Sequence, residues 1–339
     1  MKFTVLGCGG WGLAFATLLH GNGHEVVLWT PFAQEAALLR DKRGNEALLP
    51  GIRLPDDIEI TEDLTRAEGS RVFVIAVPSF AVFDTAQMLL PHLSQQSVVV
   101  LLSKGFDQKN GYCLLSDSVE KALCGKAPLV ALTGPSHAEE VSRAMPTAVV
   151  AASCDQAAAE LVQDAVMNSF FRVYTSPDVV GAELGGAMKN IMALVVGISD
   201  GAGFGDNTKA MLMTRGIAEM ARFGVRMGGE ASTFAGLSGV GDLIVTCTSN
   251  HSRNRRAGLL IGQGVEPQEA VKRIGAVVEG YYAAQAVHEL TRGMEIDLPI
   301  SRALYSILYE GAQVSDVVTA LLSRGKKQEP SPEWGAKEC

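Results

Sequence analysis

A single lysine interrupts an apolar run in the second half of the chain: Glu183-Leu184-Gly185-Gly186-Ala187-Met188-Lys189-Asn190 leads straight into Ile191–Ile198. An amine in such surroundings is desolvated, which lowers its proton affinity toward what a general base needs near neutral pH. A lysine snorkelling from a domain seam fits the same stretch, and the residues alone leave both readings open. Further on, Asp242 and Thr246 stand four apart. If that segment is helical they share a face and can hold a lysine ammonium. Ser252-Arg253-Asn254-Arg255-Arg256 follows, a dense cationic cluster in an acidic protein. Guanidinium groups suit bidentate phosphate binding, so a small phosphorylated ligand is the economical reading and a solvated basic face the alternative. Lys104 stands alone after the apolar run Val98–Leu102, where a cation faces either a bound anion or water.

The elements that must position these groups alternate in the first half. Phe3–Leu6, Glu25–Trp29, Val72–Val77, Val98–Leu102 and Leu129–Leu132 read as strands, each followed by a helix-compatible stretch. This is the pattern of a parallel sheet wrapped by helices. Thr147–Ala152 and Phe171–Tyr174, around a helical Asp155–Asn168, extend the same sheet. Ligands in such sheets bind beyond the carboxyl ends of the strands, where Pro78-Ser79, Ser103-Lys104-Gly105 and Thr133-Gly134-Pro135-Ser136 lie. After Asp178 strand signals almost vanish and helical spacing takes over to about residue 325. The expected organisation is an α/β domain over 1–177, an all-helical domain over 178–325 and a frayed, charged tail over 326–339.

Gly7, Gly9 and Gly12 form G-x-G-x-x-G between the first strand and a helix from about Leu13 to Leu19. In that position the spacing predicts a dinucleotide site. The first glycine permits the tight turn, the second the approach of pyrophosphate, and the third close helix–strand packing. The pyrophosphate is then held at the helix N-terminus. Gly10 and Trp11 complete the loop, and Trp11 equally suits a core anchor. The second strand ends Leu28-Trp29-Thr30-Pro31-Phe32, with no carboxylate before Glu35 and no arginine at Thr30 or Pro31. NADP(H) is therefore favoured over NAD(H), while Arg40, Lys42 and Arg43 read as a solvated helix face.

The whole-chain figures set limits on partners. At 339 residues, 47% hydrophobic and 19% charged, the chain can bury two cores. A net charge of −8 argues against nucleic acid or an anionic membrane surface as a partner. Cys8, Cys113, Cys124, Cys154, Cys247 and Cys339 are dispersed, with no zinc-type spacing, so reduced thiols in the cytoplasm and no metal are expected. No signal peptide opens the chain, and the apolar run Ile191–Ile198 is far shorter than a bilayer span. The Met- and Ala-rich helices are compatible with a homodimer.

Taken together, GCGGWG, HEVVLW, LPGI, VPS, SKG, LTGPSHAEE, ELGGAMKN, SDGAGFG, TRGIAEM, GLSGVGDLIVTCTS, SRNRR and VVEGY closely resemble bacterial NAD(P)-dependent glycerol-3-phosphate dehydrogenases, from the first strand to about Arg324. The resemblance implies a Rossmann-type nucleotide-binding domain followed by a helical domain. It also implies interconversion of sn-glycerol 3-phosphate and dihydroxyacetone phosphate, supplying phospholipid synthesis. It makes Lys189 the proton acceptor, which Asp242 and Thr246, by their spacing, are expected to orient, and Lys104 joins them as a candidate catalytic residue. Lys104, Gly134, Ser136, Asp242, Ser252, Arg253 and Asn254 become substrate contacts. Gly10, Trp11, Lys104, Ala138, Arg253, Val277 and Glu279 become cofactor contacts. At Thr30-Pro31 this chain departs from the many relatives that carry Arg or His. A hydroxyacid dehydrogenase shares the two-domain plan, but SRNRR and Lys104 favour a phosphate ester.

Overall fold

Phe73 and Ile75 point to one face of their strand and Val72 and Val74 to the other, and all four are fully buried. A strand apolar on both faces must be covered by helices on both, and residues Met1–Val179 fold in this way as one unit. The computed structural model describes residues 1–326 and Glu329. Its strands are β1 (Lys2–Leu6), β2 (Glu25–Trp29), β3 (Glu59–Thr61), β4 (Val72–Ile75), β5 (Val98–Leu101), β6 (Phe106–Asp107), β7 (Cys113–Leu114), β8 (Leu129–Thr133), β9 (Thr147–Ala152) and β10 (Phe171–Ser176). Eight of them form one sheet in the order β10-β9-β8-β5-β4-β1-β2-β3, while β6 and β7 pair as a small antiparallel hairpin. The chain steps outward from β1 through β2 to β3, then crosses to β4 on the other side of β1. That reversal between β1 and β4 is where open α/β sheets hold ligands.

The helices of this unit are α1 (Gly10–Gly21), α2 (Ala33–Lys42), α3 (Val82–Leu89), α4 (Leu115–Leu123), α5 (Ala138–Val141) and α6 (Gln156–Val166). Phe15 and Leu19 of α1 and Val162 of α6 pack with Phe3 and Val5 on one face, and Val82 of α3 and Val119 of α4 pack with Leu6 and Phe73 on the other. Sequence periodicity misses β3, β6 and β7, which are three, two and two residues long and too short to show a period. It also expects a parallel sheet throughout, whereas β9 joins β8 antiparallel. The connection after β8 contains only the four-residue α5. A parallel strand needs a longer crossover to bring the chain back, so β9 runs the other way.

From Val180 onward the chain forms a second unit that is helical among the described residues. Its helices are α7 (Val179–Gly201), α8 (Asp206–Arg226), α9 (Ala231–Phe234), α10 (Asp242–Thr248), α11 (Arg253–Gly262), α12 (Pro267–Ile274), α13 (Glu279–Leu290), α14 (Pro299–Tyr309) and α15 (Val314–Leu322). Helix α7 has 23 residues, longer than the apolar run Ile191–Ile198 indicates, and by length and composition it passes for a membrane span. Its most apolar window is instead 83% buried within the fold, which makes it the core helix of this unit. Helices α7 and α11 meet backbone to backbone. A β-carbon at Gly197 would lie 2.1 Å from the Arg255 carbonyl oxygen, and one at Gly258 2.1 Å from that of Leu194. The tail expected to fray over 326–339 lies outside the described residues, apart from Lys326 and Glu329.

Candidate active site

The glycine turn folds as its spacing requires. Gly7 sits at φ +116°, a conformation side chains disfavour, and its N–H donates to the Trp29 carbonyl at 2.9 Å, beside the end of β2. A β-carbon at Gly12 would stand 2.0 Å from the Gly7 carbonyl oxygen, so only glycine lets α1 pack this closely on β1. At Gly9 a β-carbon would meet nothing within 4 Å. Gly9 also begins α1 without a side-chain cap, so no side chain of the chain takes up the cap position. An anionic dinucleotide fits this cradle on its own terms: empty volume, N–H donors and the positive end of a helix dipole. Gly10 is approached by Ala138, whose β-carbon would lie 3.9 Å from one placed there. Trp11 packs against the core, its ring centroid 5.7 Å from that of Phe15.

Three further residues of this unit converge at the carboxyl ends of β5 and β8. The Gly134 carbonyl accepts from Lys104 Nζ at 3.1 Å and from Ser136 Oγ at 3.1 Å. Gly134 itself has φ +128°, and a β-carbon there would press on Val149 Cα at 3.1 Å.

In the second unit Lys189 is 7% exposed and Asp242 1%. Lys189 Nζ donates to Asp242 Oδ1 and, at 3.0 Å, to Thr246 Oγ1. The Thr246 hydroxyl in turn donates to the Asp242 carbonyl at 2.6 Å. The geometry that brings them together is again glycine-made. A β-carbon at Gly185, one turn before Lys189, would stand 2.3 Å from the Ser238 carbonyl oxygen, so α7 lies directly on the π-helical turn Leu237–Gly241 that leads into α10. The desolvation inferred from the apolar context of Lys189 is present. The Asp242 carboxylate is its counter-charge.

The cationic cluster divides. Ser252 caps α11, its Oγ accepting from the Arg255 N–H at 3.2 Å. Arg253 is exposed, and it forms no ion pair among the described residues. Arg255 is not a spare cation: its Nε and Nη2 donate to Asp200 Oδ2 at 3.0 and 2.6 Å, and Lys209 Nζ lies 3.0 Å from Asp200 Oδ1. Asn254 is a latch, with Nδ2 donating to Asn190 Oδ1 at 2.9 Å and Oδ1 accepting from the Gly280 N–H at 2.8 Å. Glu279 opens α13 and Val277 lies two residues before it, both partly buried.

Residues 2–159 match the family model for the NAD-dependent glycerol-3-phosphate dehydrogenase N-terminus, and residues 178–319 match that for its C-terminus. The chain belongs to the NAD-dependent glycerol-3-phosphate dehydrogenase family. A relative from Moorella thermoacetica named glycerol-3-phosphate dehydrogenase (NAD(P)+) is 49% identical over 335 residues, covering 98% of this chain and 99% of its own. One of the same name from Desulfitobacterium hafniense is 48% identical over 328 residues, covering 97% and 93%. The crystal structure of glycerol-3-phosphate dehydrogenase from Coxiella burnetii superposes with a TM-score of 0.90 at 36% identity, over 95% of this chain and 99% of that one. The Rossmann-type domain followed by a helical domain, expected from the motifs, is the fold of this family member.

Sequence reasoning passed over two parts of the site. Asn190 adjoins Lys189 in a quoted motif, but its partner Asn254 is 64 residues away and only packing reveals the pair. The Asp200–Arg255–Lys209 cluster was readable only as charge, because nothing local distinguishes an arginine that binds ligand from one that braces a helix.

Proposed function

We propose that this chain interconverts sn-glycerol 3-phosphate and dihydroxyacetone phosphate with a nicotinamide dinucleotide, supplying the glycerol backbone of phospholipids in the cytoplasm. The observation that carries the reading is a buried ammonium held ready for proton transfer: Lys189, between Asp242 and Thr246. A dinucleotide held at the glycine turn would supply the redox chemistry, as hydride acceptor for C2 of the alcohol in its oxidised form and as hydride donor to C2 of the ketone in its reduced form. In reduction the Lys189 ammonium gives a proton to the alkoxide forming at C2; in oxidation Lys189 first releases that proton to water, and the neutral amine then accepts the C2 hydroxyl proton. Asp242 and Thr246 keep Nζ aimed and prevent it from rotating away.

Arg253 holds the substrate phosphate, helped by the amides of Arg253 and Asn254 that begin α11 and by the dipole of that helix. Ser252, Lys104, Gly134 and Ser136 complete the substrate contacts. Gly7, Gly9, Gly10, Trp11, Gly12, Lys104, Ala138, Arg253, Val277 and Glu279 make the dinucleotide contacts. Residues 1–177 serve the dinucleotide and 178–325 the substrate and proton transfer. The sequence-based preference for NADP(H) over NAD(H) rests on Thr30-Pro31, which bear no carboxylate of their own.

The direct test adds purified protein to dihydroxyacetone phosphate and reduced nicotinamide dinucleotide and follows the fall in near-ultraviolet absorbance. Oxidation dependent on dihydroxyacetone phosphate is expected; no oxidation of either NADH or NADPH would overturn the reading.

A further inference from the structure

The end of β2 differs in space from what Thr30-Pro31 indicates in sequence. Thr30 is buried, and its N–H continues the sheet by donating to the Thr61 carbonyl at 3.1 Å. Its hydroxyl turns the other way and donates to Glu35 Oε2, across the first turn of α2. The Phe32 N–H also donates to that hydroxyl, at 3.3 Å, which fixes the turn between strand and helix. Glu35, six residues past the end of β2 in sequence, is thus folded back so that its carboxylate stands at the strand's carboxyl end. A second sign of its place is electrostatic: after burial, the Glu35 charge is the further cause that pushes up the thiol of Cys8, inside the glycine turn.

The cations of α2 and its C-cap, and Arg66 after β3, each have an acidic or carbonyl partner. Arg40 donates to Glu62 at 2.8 and 3.3 Å. Lys42 lies 3.1 Å from Asp41. Arg43 binds the Pro55 and Ile58 carbonyls and lies 3.8 Å from Asp56. Arg66 is paired with Glu59. In a Rossmann-type domain the adenosine ribose lies at the end of the second strand, where an acid binds the 2′-hydroxyl and an arginine accommodates a 2′-phosphate.

We infer that Glu35, held by Thr30, selects NAD(H) over NADP(H) by accepting from the ribose 2′-hydroxyl and repelling a 2′-phosphate, reversing the preference read from the sequence. The inference rests on the dehydrogenase reading, since it concerns the dinucleotide which that reading assigns to the glycine turn. No new bond is made or broken, and discrimination arises in binding. The carboxylate gains a hydrogen bond from the hydroxyl of one nucleotide and meets the like charge of the other. Glu35 is partly exposed, so the repulsive part is also salt-dependent.

The test is calorimetric titration of the ligand-free protein with NADH and with NADPH, alongside the turnover assay. The wild-type chain is expected to bind NADH at least about tenfold more tightly than NADPH, with the gap narrowing as salt is raised. Glu35→Gln should close most of the gap, mainly by tightening NADPH, and should leave NADH within about threefold because the amide oxygen still accepts from the hydroxyl. Thr30→Val, which releases Glu35 without removing its charge, should close the gap only in part. Tighter binding of NADPH by the wild type, or an unchanged ratio in Glu35→Gln, overturns the inference. Selective NADH binding without oxidation by dihydroxyacetone phosphate sustains it and overturns the assigned reaction instead. Binding of neither nucleotide overturns both.

Discussion

Residues Gly7–Gly12 offer a ligand backbone N–H groups and empty space, whereas Lys189, Asp242 and Thr246 present one buried ammonium already gripped by two side chains. The first site is made by leaving atoms out and the second by packing them in. A site made of backbone tolerates little change in shape and is indifferent to which side chains surround it. A site made of side chains depends on identity at each position and on glycines placed elsewhere, such as Gly185, that let the carriers approach. The two should therefore fail differently when altered.

The largest expected effect is on the side-chain site. Lys189→Ala removes the group to which the proposed mechanism gives the C2 proton and should lower turnover by about 10²–10⁴-fold. Dinucleotide affinity should stay near the wild-type value. Steady-state kinetics with calorimetric binding separates the two, and near-normal turnover would sink the assignment of Lys189.

The backbone site should break the other way. In Gly12→Ala the new methyl would sit 2.0 Å from the Gly7 carbonyl oxygen, so α1 must move off β1. Overpacking of this kind costs about 1–3 kcal/mol, which as lost binding is roughly 5- to 150-fold in dinucleotide affinity. Titration of the folded variant measures it, and unchanged affinity would show that the close approach of α1 is not what forms the cradle.

Within the arginine cluster the contrast narrows to neighbours. Arg253→Ala should raise KM for dihydroxyacetone phosphate by about 10- to 100-fold with little change in melting temperature, because it removes the proposed phosphate contact and no ion pair among the described residues. Arg255→Ala should chiefly lower the melting temperature, because Asp200, 10% exposed, then keeps only Lys209 as a cationic partner among the described residues. If Arg255→Ala spares stability and Arg253→Ala spares KM, the division of the cluster is wrong.

These differences also explain what could be read before any coordinates. Glycine spacing is local, since Gly7, Gly9 and Gly12 act on one another within six residues, and the same holds for the alternation of Val72–Ile75. Lys189 betrayed itself by its apolar neighbours, but its partner lies 53 residues away. Only the four-residue spacing of Asp242 and Thr246 hinted at a shared face. Glu35 is six residues from Trp29 in sequence, and one hydrogen bond from Thr30 brings its carboxylate back to the end of β2, a closeness no local pattern reveals. The antiparallel entry of β9 left no trace in composition, because a buried strand has the same residues whichever way it runs.

Ser252 lies on the border between the two kinds of site. Resemblance makes it a substrate contact, yet it is 4% exposed and its hydroxyl accepts from the Arg255 N–H at the start of α11. A capping hydroxyl acts through the backbone, and its loss to alanine costs about 1 kcal/mol of stability while replacement by glycine costs only a few tenths. A hydroxyl that touches phosphate is lost equally in both variants. If capping is its main role, Ser252→Ala should be less stable than Ser252→Gly by urea denaturation, and KM should rise more in the alanine variant as the start of α11 loosens around Arg253 and Asn254. Equal rises in KM with equal stability would instead put the Ser252 hydroxyl on the substrate and leave α11 to be held by the Asn190–Asn254 latch and the Asp200–Arg255 pair.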